Sequence, residues 1–337
     1  MSPLDVFGMT VEELAARGID SISAGRLLSP ELMERAGKEM ERMEKRGNVI
    51  ITIEDERYPA QLREIYDPPF VLSCAGEPET LREPTVAVVG SRHPSPYGKA
   101  VAEKLASDLA GRGLVVASGM ARGVDSAAHW GALEKGKTVA VMGSGLAVVY
   151  PRENRRLYEK IGESGVVVSE FPLDAQPLSH HFPQRNRLIS GLSLALVVVE
   201  ASARSGSLIS ARLALEQDRE VMAVPGRVDS ELSRGTHWLI KNGAKLVETW
   251  EDVAEELPSP LRDSLLAQTG NAGIEAPNLS PEEEDICGHL NTQSPTHIDE
   301  LAERTTYTVS EILAILLNLE LKGLVIQSPG KYYLRRM

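Results

Sequence analysis

Six short apolar runs, separated by segments of helical periodicity, leave this chain few folds to choose from. They are residues 85–90 (TVAVVG), 114–117 (LVVA), 138–142 (TVAVM), 166–169 (VVVS), 194–200 (LALVVVE) and 220–224 (EVMAV). Each is rich in β-branched residues and has no polar face, as a strand covered on both sides requires. Between them, residues 97–111 place Val101, Leu105 and Leu109 at spacing four, and residues 207–218 also read as a helix. This alternation predicts an α/β fold with a doubly wound, mostly parallel sheet. Ligands of such a sheet bind beyond the carboxyl ends of its strands. The loops that follow the runs are therefore the ones to search.

The flanks divide the chain further. Residues 1–47 read as small charged helices, among them 30–46, and form a short helical N-terminal region. Residues 48–256 form the core, with 49–53 and 70–73 as extended stretches beside the sheet and Asp67-Pro68-Pro69 as a rigid turn. Residues 257–279 combine Pro, Gly, Ser and Asn with little periodicity and read as a linker. In residues 280–337, Ser280-Pro281-Glu282-Glu283 is a capping box that starts a helix through Leu290. Helices over 296–304 and 309–322 follow, the latter with Ile312, Leu316 and Leu319 on one face. A hairpin of 324–327 and 332–335 turns at Ser328-Pro329-Gly330-Lys331. Three helices and a hairpin spell a winged helix.

Charge does not settle the partner. The formal net charge is −12, yet residues 85–255 carry 20 basic against 19 acidic side chains, and the excess acid lies in the flanks. A balanced domain still focuses positive potential where its arginines cluster. No apolar stretch approaches the ~20 residues of a membrane span. The opening residues lack a basic-then-apolar leader, and the two cysteines, Cys74 and Cys287, have no ligand or disulfide spacing. The expectation is a cytoplasmic protein with no membrane partner.

Four loops carry the chemistry. Gly90-Ser91-Arg92 ends the first run, where a glycine lets backbone approach a phosphate and an arginine offers a bidentate donor. Ser118, Gly119 and Arg122 lie in a similar loop after the second run. Asp125 and His129 follow at i, i+4, an arrangement read as fixing that loop in preference to an acid–base pair. The third run opens into Gly143-Ser144-Gly145, but Val148 and Pro151 break the dinucleotide fingerprint, so no nicotinamide cofactor is expected. Arg152, Arg155 and Arg156 add cations there. The stretch 182–192 (FPQRNRLISGL) sets Arg185, Asn186 and Arg187 just before a helix. Arg187 alternatively forms a salt bridge to Glu170 or Glu200. Ser205, Gly206 and Ser207 open a further helix.

His180-His181 has no acid or cysteine at ligand spacing, so no metal is expected. A P-loop, a Gly-x-Ser-x-Gly elbow and a cysteine with a credible base are all missing. Several arginine-bearing loops without a nucleophile describe a binding site more than a catalytic one.

These residues resemble the DNA-processing protein A (DprA/Smf) family over about 58–250. The resemblance is carried by YPAQLREIYDPPFVLSCAGE, VAVVGSRHPSPYGK, SGMARGVDSAAH, VAVMGSGLAVVYPRENRRL, FPQRNRLISGLS, VVVEASARSGSLISARLALEQDREVMAVPG and GTHWLIKNGA. It implies an extended Rossmann-like core that binds single-stranded DNA, dimerises, has no established catalysis and loads a RecA-type recombinase during natural transformation. It further implies that Arg92 and Arg152 contact the DNA backbone. Ser91, Gly119, Arg122, Arg185, Asn186 and Arg187 match motif positions that line the same pocket. The family's N-terminal helical domain is abbreviated here. A rival reading is a nucleotide-processing enzyme of the phosphoribohydrolase-like Rossmann group, whose Pro-Gly-Gly-x-Gly-Thr-x-x-Glu loop is replaced by residues 201–208 (ASARSGSL). A third is a structural adaptor with an empty pocket.

Two features qualify the DNA reading. Aromatic residues make up only 4% of the chain, with Tyr97, Tyr150, Phe171, Phe182 and Trp238 near the motifs, so backbone contacts are expected to dominate. The third helix of the winged helix carries Glu311 and Glu320 against Lys322, which favours a protein contact or a structural appendage over duplex DNA.

Overall fold

All six apolar runs are strands. In the computed structural model of the chain, which describes residues 8–271, 279–291, 295–322, 324–328 and 330–335, they form the centre of one sheet. The strands are β1 (Val49–Thr52), β2 (Val71–Gly76), β3 (Thr85–Val89), β4 (Val115–Ser118), β5 (Thr138–Val141), β6 (Val166–Ser169), β7 (Ala195–Val198), β8 (Glu220–Ala223) and β9 (Lys245–Leu246). Their spatial order is β1-β2-β6-β5-β4-β3-β7-β8-β9. Strands β3 to β9 pair in parallel, while β2 runs antiparallel to β6 and β1 antiparallel to β2. Every residue of β3 to β7 is buried. Helices cover both faces, which is why these runs have no polar alternation.

The sequence expectation of an α/β, mostly parallel doubly wound sheet with flanking extended stretches therefore holds. Successive strands leave β3 first on one side (β4, β5, β6) and then on the other (β7, β8). That reversal creates a crevice at the carboxyl ends of β3 and β7. Gly123, at φ 79°, lets the loops after β3 and β4 touch. A Cβ there would run into the Ser91 backbone and Pro94, and Val124 N–H donates to Ser91 O at 3.1 Å.

Short helices Val11–Ala15 and Ser21–Leu27 precede the longer Pro30–Glu44. Met43, on that last helix, packs with Met120, Met142, Leu157 and Ile161. The stretch read as a linker is helical from Ser259 to Asn271. Prolines at 258 and 260 suit a helix start, and buried Leu265 supplies an anchor that periodicity alone did not reveal. The rest of that stretch, residues 272–278, lies outside the described residues.

The chain divides into two compact units, Met1–Leu265 and Leu266–Met337. The second is a winged helix with its own core, including Ile286, Leu301, Ile312, Leu316, Leu319 and Tyr333. Ser280 and Glu283 make the expected capping box on helix Pro281–His289. The next helix begins at Ile298, not Thr296, because Thr296–His297 forms β10. It pairs with Tyr332–Tyr333 of β12 (Tyr332–Arg335), which also pairs with β11 (Val325–Ser328). Helix Val309–Leu321 buries Ile312, Leu316 and Leu319 as read from sequence. Among the described residues, no helix is long and apolar enough to cross a membrane.

Candidate functional site

The crevice at the β3/β7 reversal opens into a cleft of about 670 Å³. Of the candidate residues, Gly90, Arg92, Arg185, Asn186, Ser205, Gly206 and Ser207 line it. Gly119 and Arg122 line a small adjoining hollow that shares Arg92, Tyr150 and Phe182. The ten-residue helix Ser207–Glu216 points its N-terminus at the cleft, where its free N–H groups favour an anion. Ser205 Oγ accepts from Ser207 N–H at 3.3 Å.

Helix His181–Gly191 forms one wall. Phe182, Arg185, Asn186 and Ile189 share its cleft face, as spacings of three and four require. Arg187 falls on another side. It ion-pairs with half-buried Glu170 and reaches Asp67 at 3.3 Å, realising the salt-bridge alternative. Burial lifts the Glu170 carboxyl above its ordinary range even with Arg187 beside it.

Arg185 is 3% exposed, and its Nη1 donates to Gly119 O and Val141 O at the ends of β4 and β5. Gly119 makes room for it, since a Cβ there would sit 2.7 Å from the guanidinium. Burial brings the Arg185 guanidinium down to about 10, Asp125 opposing and Arg92 reinforcing the shift.

Asp125 accepts from Gly119 N–H at 3.1 Å and Ala121 N–H at 3.3 Å, and burial raises its carboxyl. His129 receives the Met120 N–H on Nε2 at 3.4 Å and lies 2.7 Å from Thr138 Oγ1 through Nδ1. Thr138 Oγ1 in turn donates to Val116 O, so Nδ1 carries the proton and the ring is neutral. Burial takes His129 down to about 3. Both side chains thus hold the 119–121 loop.

Cations at this edge differ in availability. Arg122 makes a two-pronged pair with Glu153, at 2.6 and 2.8 Å. Arg155 pairs with Glu159 at 3.1 Å. Arg92 is exposed, and among the described residues no carboxylate lies within salt-bridge range of it. Its guanidinium is 5.2 Å from the Phe182 centroid, and that of Arg185 is 5.9 Å away. Tyr150 stands beside them, 40% exposed, with its ring 5.8 Å from Phe182.

The structure does not bring every candidate into this cleft. Arg152 lines a separate groove of about 830 Å³ with Arg46 and Arg155. Ser118 is buried and donates to Val88 O at 2.7 Å. Ser91 Oγ accepts from His93 N–H at 3.1 Å. Gly145 lets the β5 loop close on the backbone of Pro172 and Leu173. These three stabilise the loops. His181 stacks on Phe171 at 4.1 Å, and no metal-holding group of side chains occurs among the described residues. Sequence reasoning named Tyr150 and Phe182 without separating them from core aromatics. It missed Glu153 as the partner that neutralises Arg122, and Arg46 altogether, because both depend on contacts between distant segments.

Comparison with known proteins gives concordant matches. The family model described as DNA recombination-mediator protein A matches residues 49–258, and the DprA winged helix domain model matches residues 274–331. Over 298 residues the chain is 42% identical to Protein Smf of Escherichia coli K12, covering 86% of this chain and 78% of that one. It is 48% identical over 206 residues to DNA processing protein DprA of Streptococcus pneumoniae, covering 61% and 73% of the two. The X-ray structure of DprA from Streptococcus pneumoniae superposes with a TM-score of 0.65 at 41% identity, covering 74% of this chain and 87% of that one. DprA from Helicobacter pylori, whose structure is described for its single-stranded DNA binding mode, gives 0.56 at 32% identity, covering 65% and 96%.

Proposed function

Since the chain belongs to the DNA recombination-mediator protein A family, we propose that it binds single-stranded DNA along the carboxyl edge of the core sheet. The observation that carries this reading is Arg92. It is a surface guanidinium with no carboxylate partner among the described residues, held at the mouth of the switch-point cleft beside two aromatic rings. Of the other arginines in the loops at this edge, Arg122 and Arg155 are held by Glu153 and Glu159. One left unpaired over a helix N-terminus is placed for a phosphate. Tyr150 supplies a stacking face for one base.

The protein then acts without catalysing a covalent step, as a homodimer in the cytoplasm that holds incoming strands and passes them to a RecA-type recombinase. No cofactor enters this reading. Its two cysteines are free and buried. A phosphoribohydrolase-type activity is disfavoured. Glu216, the nearest acid on the helix after β7, ends that ten-residue helix, roughly 14 Å from the cleft at ~1.5 Å per residue. In the winged helix, Glu311 caps the N-terminus of its helix through Thr308, and Val309, Leu313 and Leu317 are exposed. Such a surface suits a protein partner better than a phosphate backbone.

The test is fluorescence anisotropy with a labelled single strand, a duplex of equal length, a salt titration, and the Arg92→Ala/Arg152→Ala protein. Preferential single-strand binding that weakens with salt and collapses in the folded double variant is the expected result. Binding unchanged by the two substitutions refutes the assignment.

A further inference from the structure

Arg152, which the test above substitutes together with Arg92, does not share the Arg92 cleft, and the groove it lines also holds Arg46 of the N-terminal region. That groove, about 830 Å³, is lined by Arg46 and Gly47 before β1, Gly76 at the end of β2, and Arg152, Arg155 and Tyr158. Gly76 pairs with Val166, the first residue of β6, whereas Arg152 follows β5 at the opposite, carboxyl edge. The groove therefore runs along helix Arg155–Ser164 for about the length of β6, roughly 13 Å at ~3.3 Å per strand residue.

Its charge is one-sided. Three arginines face one carboxylate, Glu159, which Arg155 already holds at 3.1 Å. Arg46 and Arg152 are exposed, and among the described residues neither has a carboxylate within salt-bridge range. Leu146, Ala147 and Val149 give it an apolar wall. Tyr150 and Pro151, which line the hollow beside Arg92, directly precede Arg152 in the chain.

We propose that this groove is a second nucleotide subsite, in which Arg46 and Arg152 hold phosphates of the same DNA strand after it leaves the Arg92 cleft across Tyr150-Pro151. The inference rests on the single-strand reading above and extends it to the N-terminal region, which thereby contributes a direct DNA contact. The ligand is a polynucleotide phosphate, with bases against half-buried Ala147 and Val149. Each phosphate contact on a single strand contributes ~0.7 to the slope of log affinity against log salt.

The experiment uses the full chain and oligodeoxythymidylates of increasing length, with wild type, Arg92→Ala, Arg46→Ala and Arg46→Lys. On the shortest oligonucleotide whose binding needs Arg92, Arg46→Ala matches wild type. On longer ones it lowers the salt slope by ~0.7 and weakens binding, and Arg46→Lys restores both. No Arg46 effect at any length, or an effect already complete on the shortest strand, overturns the second subsite. If the first of these occurs while binding still needs Arg92, only this inference falls. If wild type binds no strand, the reading of the Arg92 cleft falls with it.

Discussion

Replacing Arg185 with methionine tests whether this arginine organises the cleft from beneath. The substitution keeps an apolar stem but removes the guanidinium that bridges Gly119 O and Val141 O. Stripping a buried carbonyl of its donor costs about 1–3 kcal/mol. Asp125, buried nearby, loses the positive charge that opposes its protonation. The two carbonyls together bring the loss to about 2–6 kcal/mol. Arg185 also lines the cleft, so water reaches part of the vacated space and lowers the sum to about 3 kcal/mol. With an m-value of ~3 kcal/mol/M, the urea midpoint falls by about 1 M. All three tryptophans, Trp130, Trp238 and Trp250, lie in the first unit, so their fluorescence reports the core alone. Arg92→Met, at an exposed site, is the control and shifts stability by less than ~0.5 kcal/mol. Equal midpoints for the two variants would refute the bridging role.

Three other outcomes follow from the same geometry. Glu153→Gln releases Arg122 from its two-pronged pair, so single-strand binding tightens and its salt slope steepens by ~0.7, read by anisotropy; weaker binding contradicts this. Tyr150→Ala weakens binding by about 1–3 kcal/mol while Tyr150→Phe retains it, and equal losses would rule out stacking. His129 is held neutral and down to about 3, whereas an unfolded histidine titrates near ~6.5. Its folded value is depressed, so the stability it contributes is present above ~6.5 and is lost as pH falls towards 3. The urea midpoint therefore drops between pH 7 and pH 5, and drops less in His129→Gln, where the raised Asp125 makes the same background contribution.

The architecture was legible because each local signal had one physical meaning. Runs such as TVAVV and LALVVV suit only a strand covered on both faces, and β3 and β7 are buried throughout. The capping box at Ser280 fixed one helix start in the winged helix by hydrogen bonds within four residues, and the structure adds a second box at Thr308. Thr296–His297 misled because a two-residue strand is defined by its partner, Tyr332–Tyr333, and not by its own pattern. The helix over Ser259–Asn271 was hidden by turn-forming residues around it, and Leu265 gains its meaning only from what it packs against.

For the site, sequence by itself determined which loops carry arginines and that they follow the strand ends, because strand order along the chain sets the ligand edge. Only tertiary structure decided which of those arginines remain available. Arg185 and Arg187 are two residues apart in one motif, yet one turns into the strand ends and the other into Glu170. Arg122 and Arg152 look equivalent in sequence, but Glu153 neutralises one and leaves the other exposed. A charge's availability depends on what stands within about 4 Å of it in space. Those neighbours come from segments 17 to 120 residues away along the chain, a distance over which no local pattern carries information.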